Sequence, residues 1–410
     1  MRVIYSMLVS FVNVLMHGAA LAHGKSRKWV EGRRNWRRDL QLWRKEYTGD
    51  IYWFHCASLG EFEQGRPVIE RLRKERPDVV ILLTFFSPSG YEIRKNYAGA
   101  DGVFYLPIDT RSSSSDFLDI IRPKVACFVK YEYWPNYFLG CKSRGISLIM
   151  ISAILRPNQR FFGWSRFFWK PVLESVSHYF VQDESSMQLL NGIGIDQCTM
   201  AGDTRFDRVL EIASAASELA EVREWSSGSS VLIGGSSWPA DEQVLLSWWR
   251  KASSNWKLLL VPHEIGTAHI QAIQQLWPEA VLWSERTETD WETSRVLIIN
   301  EIGMLSTLYR YASVAWIGGG FGAGIHNTLE AAAWGLPVTF GARFEKFAEA
   351  QGLIACGAAR AARDEAAAVI LIEQLTSNSN EMTRMGALAG RFVESGRGAT
   401  DRIMSFLRSI

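Results

Sequence analysis

From Ile51 onward, short apolar runs alternate with segments patterned for helices. IYWFHCAS (51–58), VVILLTFFS (79–87), GVFYLPID (102–109), KVACFVKYEYW (124–134), SLIMISA (147–153) and HYFVQD (178–183) read as strands, and Phe62 to Glu75 reads as a helix. The runs are nearly continuous in apolar residues rather than alternating, as in strands of a parallel sheet covered on both faces. A second series begins with SVLIGGSS (230–237) and continues through WKLLLVPHE, VLWSE, RVLIINEIG, VAWIGGG and PVTFG. Two similar α/β halves follow, 46–210 and 231–380, joined by a linker at 211–230 rich in Ala, Ser and Glu. The segment 381–410 is helical in pattern and is expected to fold back over the first half. Two open α/β sheets facing one another would leave a cleft lined by the carboxyl ends of their strands.

The first 45 residues break this rhythm. Val3 to Ala22 is mostly apolar, and nine Lys or Arg against two acids follow between Lys25 and Lys45. Dense positive charge directly after Ala19 to Ala22 disfavours a cleaved export signal. The segment 1–45 is therefore expected to be a membrane anchor with a basic collar. Trp29, Trp36 and Trp43, seven residues apart, would lie at anionic headgroups. The competing reading packs the same three rings onto the protein's own domain. With a net charge of +2 over 410 residues, binding of nucleic acid by bulk charge is not indicated. Five well-separated cysteines, Cys56, Cys127, Cys141, Cys198 and Cys356, show no zinc spacing and read as reduced, buried thiols of a cytoplasmic protein.

The densest candidate chemistry lies in VAWIGGGFGAGIHNTLEAAAWGLPVTFG (314–341). An apolar strand passes through Gly318, Gly319, Gly320, Gly322 and Gly324 into a helix that carries His326 and Asn327 at its start and Glu330 one turn on. Such a turn admits a phosphate at the helix N-terminus, while Glu330 could accept hydrogen bonds from two ribose hydroxyls. A tight turn alone would need no ligand; the cluster of Gly, His, Asn and Glu favours one. In the same half Gly235, Ser236 and Ser237 form a second cradle, His263 follows a strand, and Gly303 and Met304 offer a loop for a flat base. In the first half Glu61, beside Ser58 and Gly60 just past a strand end, could take a proton from an attacking hydroxyl, or could simply cap a helix. Lys130 and Glu132 alternate onto one face of a strand ended by Pro135. They form either an ion pair or sugar-binding groups, with Trp134 as a stacking surface. No Asp-x-Asp occurs, GxGxxG follows the first strand of neither half, and no nucleophile elbow is present.

Taken together, these motifs resemble those of the 3-deoxy-D-manno-octulosonic acid (Kdo) transferases over nearly the whole chain. They are Ser58-x-Gly60-Glu61, Pro88-Ser89-Gly90, Leu106 to Asp109, Glu132 to Asn136, Gly202 to Asp207 and His326-Asn327-x-x-Glu330. The resemblance implies a GT-B fold of two Rossmann-like domains facing a central cleft, with an N-terminal membrane-associated helix. It implies inverting transfer of Kdo from CMP-Kdo, a co-substrate, to a lipid A precursor at the cytoplasmic face of the bacterial inner membrane, with no metal and no other cofactor. Glu61 would be the general base, and Gly235, His263, Gly303, Asn327 and Glu330 would hold CMP. The chain departs from the family pattern at Lys130, where Glu is usual, and at Ser152-Ala153-Ile154 in place of Asn-Ala-Arg. It departs again at Pro262-His263-Glu264 in place of Pro-Arg-His, which removes an Arg expected near the donor phosphate. Two other readings are a nucleotide-sugar 2-epimerase of the same fold and a non-catalytic membrane-bound sugar-nucleotide binding protein.

Overall fold

The computed structural model describes residues 2–288 and 291–410. The chain forms two compact units: one runs to Asp207 and also takes in Gly398–Ile410, and the other is Arg208–Arg397. Each is built on a seven-stranded sheet whose pairings among the described residues are all parallel.

The first unit contains β1 (Ile51–Cys56), β2 (Val80–Phe85), β3 (Gly102–Tyr105), β4 (Val125–Val129), β5 (Ser147–Ala153), β6 (His178–Val181) and β7 (Cys198–Met200). Their order is β3-β2-β1-β4-β5-β6-β7, so the winding reverses between β1 and β4. All six residues of β1 are buried. Trp53 packs with Phe117, Phe128 and Tyr137 on one side of the sheet, and Tyr52 and Phe54 with Phe62 and Ile81 on the other. Burial on both faces is why the strand has no polar alternation.

The second unit contains β8 (Ser230–Ser237), β9 (Trp256–Pro262), β10 (Val281–Leu282), β11 (Val296–Ile298), β12 (Val314–Ile317), β13 (Val338–Gly341) and β14 (Ala359–Ala362). The order β10-β11-β9-β8-β12-β13-β14 reverses between β8 and β12. In open sheets of this kind, ligands gather where the order reverses, beyond the carboxyl ends of the two strands.

The expected linker is largely helical. Glu211–Ala215 ends the helix Thr204–Ala215, and a second helix, Ala220–Ser226, buries Val222 and Trp225 in the second unit. Its Ala, Ser and Glu residues are compatible with helix, so composition alone misread it. The segment 381–410 is likewise two helices. Ser379–Ser395 belongs to the second unit, the chain breaks at Gly398 with φ 104°, and Ala399–Arg408 belongs to the first. Asp207, in the Gly202 to Asp207 motif, accepts from Gly398 N and Thr400 N at 2.6 Å each, and so fixes the start of that last helix.

At the amino end, α1 (Arg2–Ala19), α2 (Gly24–Glu31) and α3 (Trp36–Glu46) are distinct helices. The collar tryptophans do not face outward. Trp29 and Trp43 are buried, and Trp36 packs against the first unit's core. Trp43 Nε1 donates to Asp101 O at 3.0 Å. The Arg33 guanidinium is buried between the Trp29, Phe86 and Tyr105 rings and donates to the carbonyls of Leu106 and Phe86. The sevenfold spacing thus serves internal packing, and what remains outward is charge: Lys25, Arg27, Lys28, Arg34, Arg37, Arg38 and Lys45 are exposed. In contrast, α1 has no buried residue and leaves Val3, Ile4, Met7, Leu8, Phe11, Val12, Val14 and Leu15 more than half exposed. By length and composition it suffices to cross a membrane. Its polar side is tied down: Asn136 Nδ2 donates to Ser6 Oγ at 3.2 Å, and Asn136 also donates to the backbone of Asp109. Of the cysteines, Cys56, Cys127 and Cys141 are buried, whereas Cys198 and Cys356 are half-buried.

Candidate active site

In the first unit the reversal brings the end of β1 beside the end of β4, with His55 opposite Phe128. Immediately after β1, α4 (Leu59–Glu75) begins with Ser58 as its N-cap and Glu61 in its first turn. The Ser58 hydroxyl donates to the Glu61 carboxylate, so the carboxylate is oriented by a neighbour rather than spent on backbone capping; Gly60 beside it is exposed. β4 stops at Val129, earlier than the sequence pattern suggests. Lys130 adopts φ 65°, and Pro135 opens a helix, Pro135–Ser143, rather than closing a strand. Lys130 and Glu132 therefore do not alternate on a strand. The left-handed turn at Lys130 carries its ammonium over the Tyr131 ring, 5.1 Å from the centroid.

Glu132 instead accepts from Trp134 Nε1 at 2.8 Å and lies 3.6 Å from His55 Nε2. His55 is fully buried; its Nδ1 pairs with Thr84 Oγ1 at 2.9 Å, and its Nε2 has no hydrogen-bond partner. Trp134 packs on Phe86 with ring centroids 4.9 Å apart. Glu61 and Glu132 both act on the Cys56 thiol, which burial first, then these two carboxylates, push far above the ordinary thiol range. Two carboxylates thus flank one strand end.

In the second unit β8 and β12 lie side by side, with Gly235 opposite Ile317. A Cβ on Gly318 would collide with the Ser236 carbonyl, and one on Gly320 would sit 2.5 Å from Gly341 N. These two glycines are thus required by close backbone approach within the sheet end, whatever binds there. Asp241 pins the turn: it accepts from Gly319 N at 2.9 Å, Trp316 Nε1 at 3.0 Å and Trp238 N at 3.1 Å. Burial raises the Asp241 carboxyl, and these three donors oppose the rise. Ser237 is buried and donates its hydroxyl to Glu242 at 3.0 Å, so that hydroxyl is engaged inside the fold.

The helix beyond the turn is shorter than expected, only Leu329–Ala333: it begins at Leu329 rather than at His326. His326 and Asn327 precede it in extended loop, and a helix of five residues has little macrodipole to offer an anion. Asn327 accepts from Leu329 N at 3.0 Å and donates to Glu330 at 2.9 Å. His326 lies flat against His263, centroids 4.2 Å apart, and Trp238 stacks on His263 at 4.9 Å. Burial, with the nearby His263, lowers the His326 pKa to about 4. Gly303, with φ 95°, and Met304 precede the helix Leu305–Leu308. Leu305 and Tyr309 in turn crowd Gly235.

The structure therefore assembles Gly235, Ser236, His263, Gly320, Gly324, His326, Asn327 and Glu330 about one sheet end, and Ser58, Gly60, Glu61, Glu132 and Trp134 about the other. Three residues escaped the sequence reading: His55, Trp238 and Arg343. Arg343 follows β13; its backbone N–H donates to Gly320 O at 2.9 Å and its guanidinium to Gly322 O at 2.5 Å. An exposed cation thus lies on the glycine turn, in the half where the usual Pro-Arg-His Arg is absent. Among the described residues no group of three or more His, Cys, Asp or Glu is placed to hold a metal ion.

A family model described as 3-Deoxy-D-manno-octulosonic-acid transferase (kdotransferase) matches residues 34–208. The 3-deoxy-D-manno-octulosonic acid transferase of Chlamydophila psittaci is 28% identical over 378 residues, covering 88% of this chain and 86% of its own length. That of Haemophilus influenzae is 25% identical over 374 residues, covering 86% of each. Among solved structures, UDP-GlcNAc 2-epimerase from Neisseria meningitidis aligns with a TM-score of 0.61 at 15% identity, covering 88% of this chain and 100% of that one. MurG from Acinetobacter baumannii aligns at 0.57 and 12% identity with the same coverage. At such identities these two structures speak for the fold alone, which is of the GT-B type with two Rossmann-like units. Residues 34–208 thus match the Kdo transferase family model, and over 86–88% of its length the chain is similar to curated Kdo transferases.

Proposed function

We propose that the protein transfers Kdo from CMP-Kdo to a hydroxyl of a lipid A precursor, with inversion at the anomeric carbon, in lipopolysaccharide biosynthesis. The observation that carries the reading is Glu61, set in the first turn of α4 at the β1/β4 reversal with the Ser58 hydroxyl orienting it. Glu61 takes the proton of the acceptor hydroxyl as its oxygen bonds to the anomeric carbon, and the bond from that carbon to the CMP phosphate breaks on the opposite side. Ser58, Gly60, Glu132 and Trp134 bind sugar hydroxyls around it. In the second unit Glu330 receives the ribose hydroxyls, Asn327 holds Glu330, and the Gly303–Met304 loop packs the base.

Charge builds on the departing phosphate and needs a partner. With so short a helix after the glycine turn, that partner is the side-chain set His263 and Arg343, supported by the loop at Gly235 and Ser236. The exposed apolar side of α1 and the cations of α2 and α3 hold the protein at the cytoplasmic face of the inner membrane, where such an acceptor resides. The test is incubation with fresh CMP-Kdo and a tetraacylated lipid A precursor, followed by mass spectrometry of the lipid. A gain of one or more Kdo units supports the reading and counts the units added. No gain, with CMP still bound, would remove the acceptor; turnover of a UDP-sugar without an acceptor would make the protein an epimerase.

A further inference from the structure

In the first unit, α1 and the segment 157–169 border an open groove of about 780 Å³, within the roughly 300–1,000 Å³ usual for small-molecule sites. Ile4, Tyr5 and Leu8 form one wall, and Trp164, Phe168 and Trp169 line the other side. Trp164 is 91% exposed and the adjoining Phe167 82% exposed. Large rings held in water gain nothing for the fold, so they point to something that covers them. The rim is cationic: Arg160 and Arg166 are exposed, and no Asp or Glu occurs between Ile154 and Leu173. Apolar walls beneath a cationic rim complement an amphiphile with an acyl chain and an anionic head.

The placement narrows the occupant further. Ser6, next to Tyr5 on α1, accepts from Asn136 Nδ2 at 3.2 Å, and Asn136 lies in the first turn of the helix directly after Glu132 and Trp134, so the inner end of the groove adjoins the loop that carries Glu132. Arg156, just before the lining segment, donates to Tyr131 Oη at 3.3 Å, in the loop that also carries Glu132. A bulk membrane lipid would have no need of a groove that leads to a reaction centre; an acceptor would. We propose that one acyl chain of the acceptor glycolipid lies between α1 and the 157–169 segment, with an anionic group of its head against Arg160 and Arg166. The inference rests on the reading of the acceptor as an acylated, phosphorylated glucosamine lipid.

The test compares full-length wild-type protein with a Leu8→Ser, Trp164→Ser double variant, both side chains being exposed and so removable without opening the core. Each is assayed in detergent micelles with a tetraacylated glucosamine disaccharide bisphosphate, and in buffer with its fully deacylated, water-soluble counterpart. The double variant should raise KM for the acylated acceptor about tenfold or more, as loss of several methylene contacts implies. KM for the deacylated acceptor and for CMP-Kdo should stay within about twofold. Equal changes on both acceptors, or none on either, overturn the inference. So does a variant that loses flotation with phosphatidylglycerol vesicles yet keeps its micellar KM, since the face would then touch bilayer rather than an acceptor chain. Wild-type turnover of neither acceptor would instead overturn the acceptor reading, and this inference with it.

Discussion

Trp238 donates its indole N–H to His326 Nε2 at 2.9 Å. An indole can donate but not accept, so Nε2 must present its lone pair and the ring proton of neutral His326 must sit on Nδ1. The same indole stacks on His263, which lies flat against His326. One residue outside the recognised motifs thus sets the tautomer of the motif histidine and braces its neighbour. It leaves Arg343, rather than His326, as the group at this sheet end that carries positive charge to an anion.

Trp238→Phe keeps the stacking surface and removes the donor. Ring-nitrogen NMR should show His326 as the Nδ1–H tautomer in the wild type and a tautomer mixture in the variant; an unchanged signature would remove Trp238 from this role. The titration gives a second readout. Folded His326 stays neutral down to about pH 4, whereas an unfolded histidine takes a proton below about 6.5. The unfolded chain therefore binds more protons in that window, so stability falls as pH drops from about 6.5 towards 4 and is unaffected above it. His326→Gln should flatten that part of a curve of melting temperature against pH.

Glu61→Gln keeps the shape and the Ser58 contact but cannot take a proton. Loss of a general base costs typically about 10²–10⁴ in rate, so kcat should fall by that order while CMP affinity, measured by calorimetry, stays unchanged. Normal turnover would return Glu61 to the role of a helix cap.

Arg343→Met removes the guanidinium but leaves the backbone N–H that holds Gly320. If the side chain is the cation that a donor phosphate meets, CMP should bind roughly tenfold to a hundredfold more weakly, since a hydrogen bond to a charged group contributes about 1.5–3 kcal/mol. The fold should survive, because the side chain is exposed. Unaltered CMP affinity would leave the phosphate to His263 and the backbone.

From inside the sheet, His55 pairs with Thr84 and lies 3.6 Å from Glu132. His55→Ala should cost about 1–3 kcal/mol in urea denaturation, through a lost buried partner and a small cavity. It should also lower kcat more than it raises the acceptor KM, because Glu132 would lose one of the two groups beside it. A stability loss without any change in the kcat to KM balance would confine His55 to packing.

The strands were legible because both faces of each sheet are covered, which writes burial into sequence as unbroken apolar runs such as Val80–Phe85. Glu61 and the glycine turn were legible because each carries its chemistry within a few consecutive residues. Arg343, Trp238 and His55 were not, since each reaches its site through strand order: Arg343 arrives from β13, Trp238 from the end of β8, and His55 meets Glu132 only because β1 pairs with β4. Periodicity revealed that Trp29, Trp36 and Trp43 share a face, but it is silent on whether that face meets lipid or protein. The alanines after Glu330 marked the helix, but its first turn begins at Leu329, leaving His326 and Asn327 in the preceding loop.

The amino end offers the sharpest structural test, because its three helices differ in what they bury. Removing residues 1–22 deletes α1, which contributes no buried side chain, and frees Asn136 from Ser6. That truncation should give a protein that needs no detergent, binds CMP as before and melts within a few degrees of the full chain, since a single side-chain hydrogen bond contributes only about 0.5–1.5 kcal/mol. Removing residues 1–46 also deletes Trp29, Arg33, Leu40 and Trp43, and uncovers Phe117 and Phe104 beneath them. Loss of a single large core side chain costs roughly 2–5 kcal/mol, so losing several should prevent the first unit from folding while the second still binds nucleotide. Equal behaviour of the two truncations would mean that α2 and α3 are no more part of the first unit than α1, and that their buried rings contribute little to its stability.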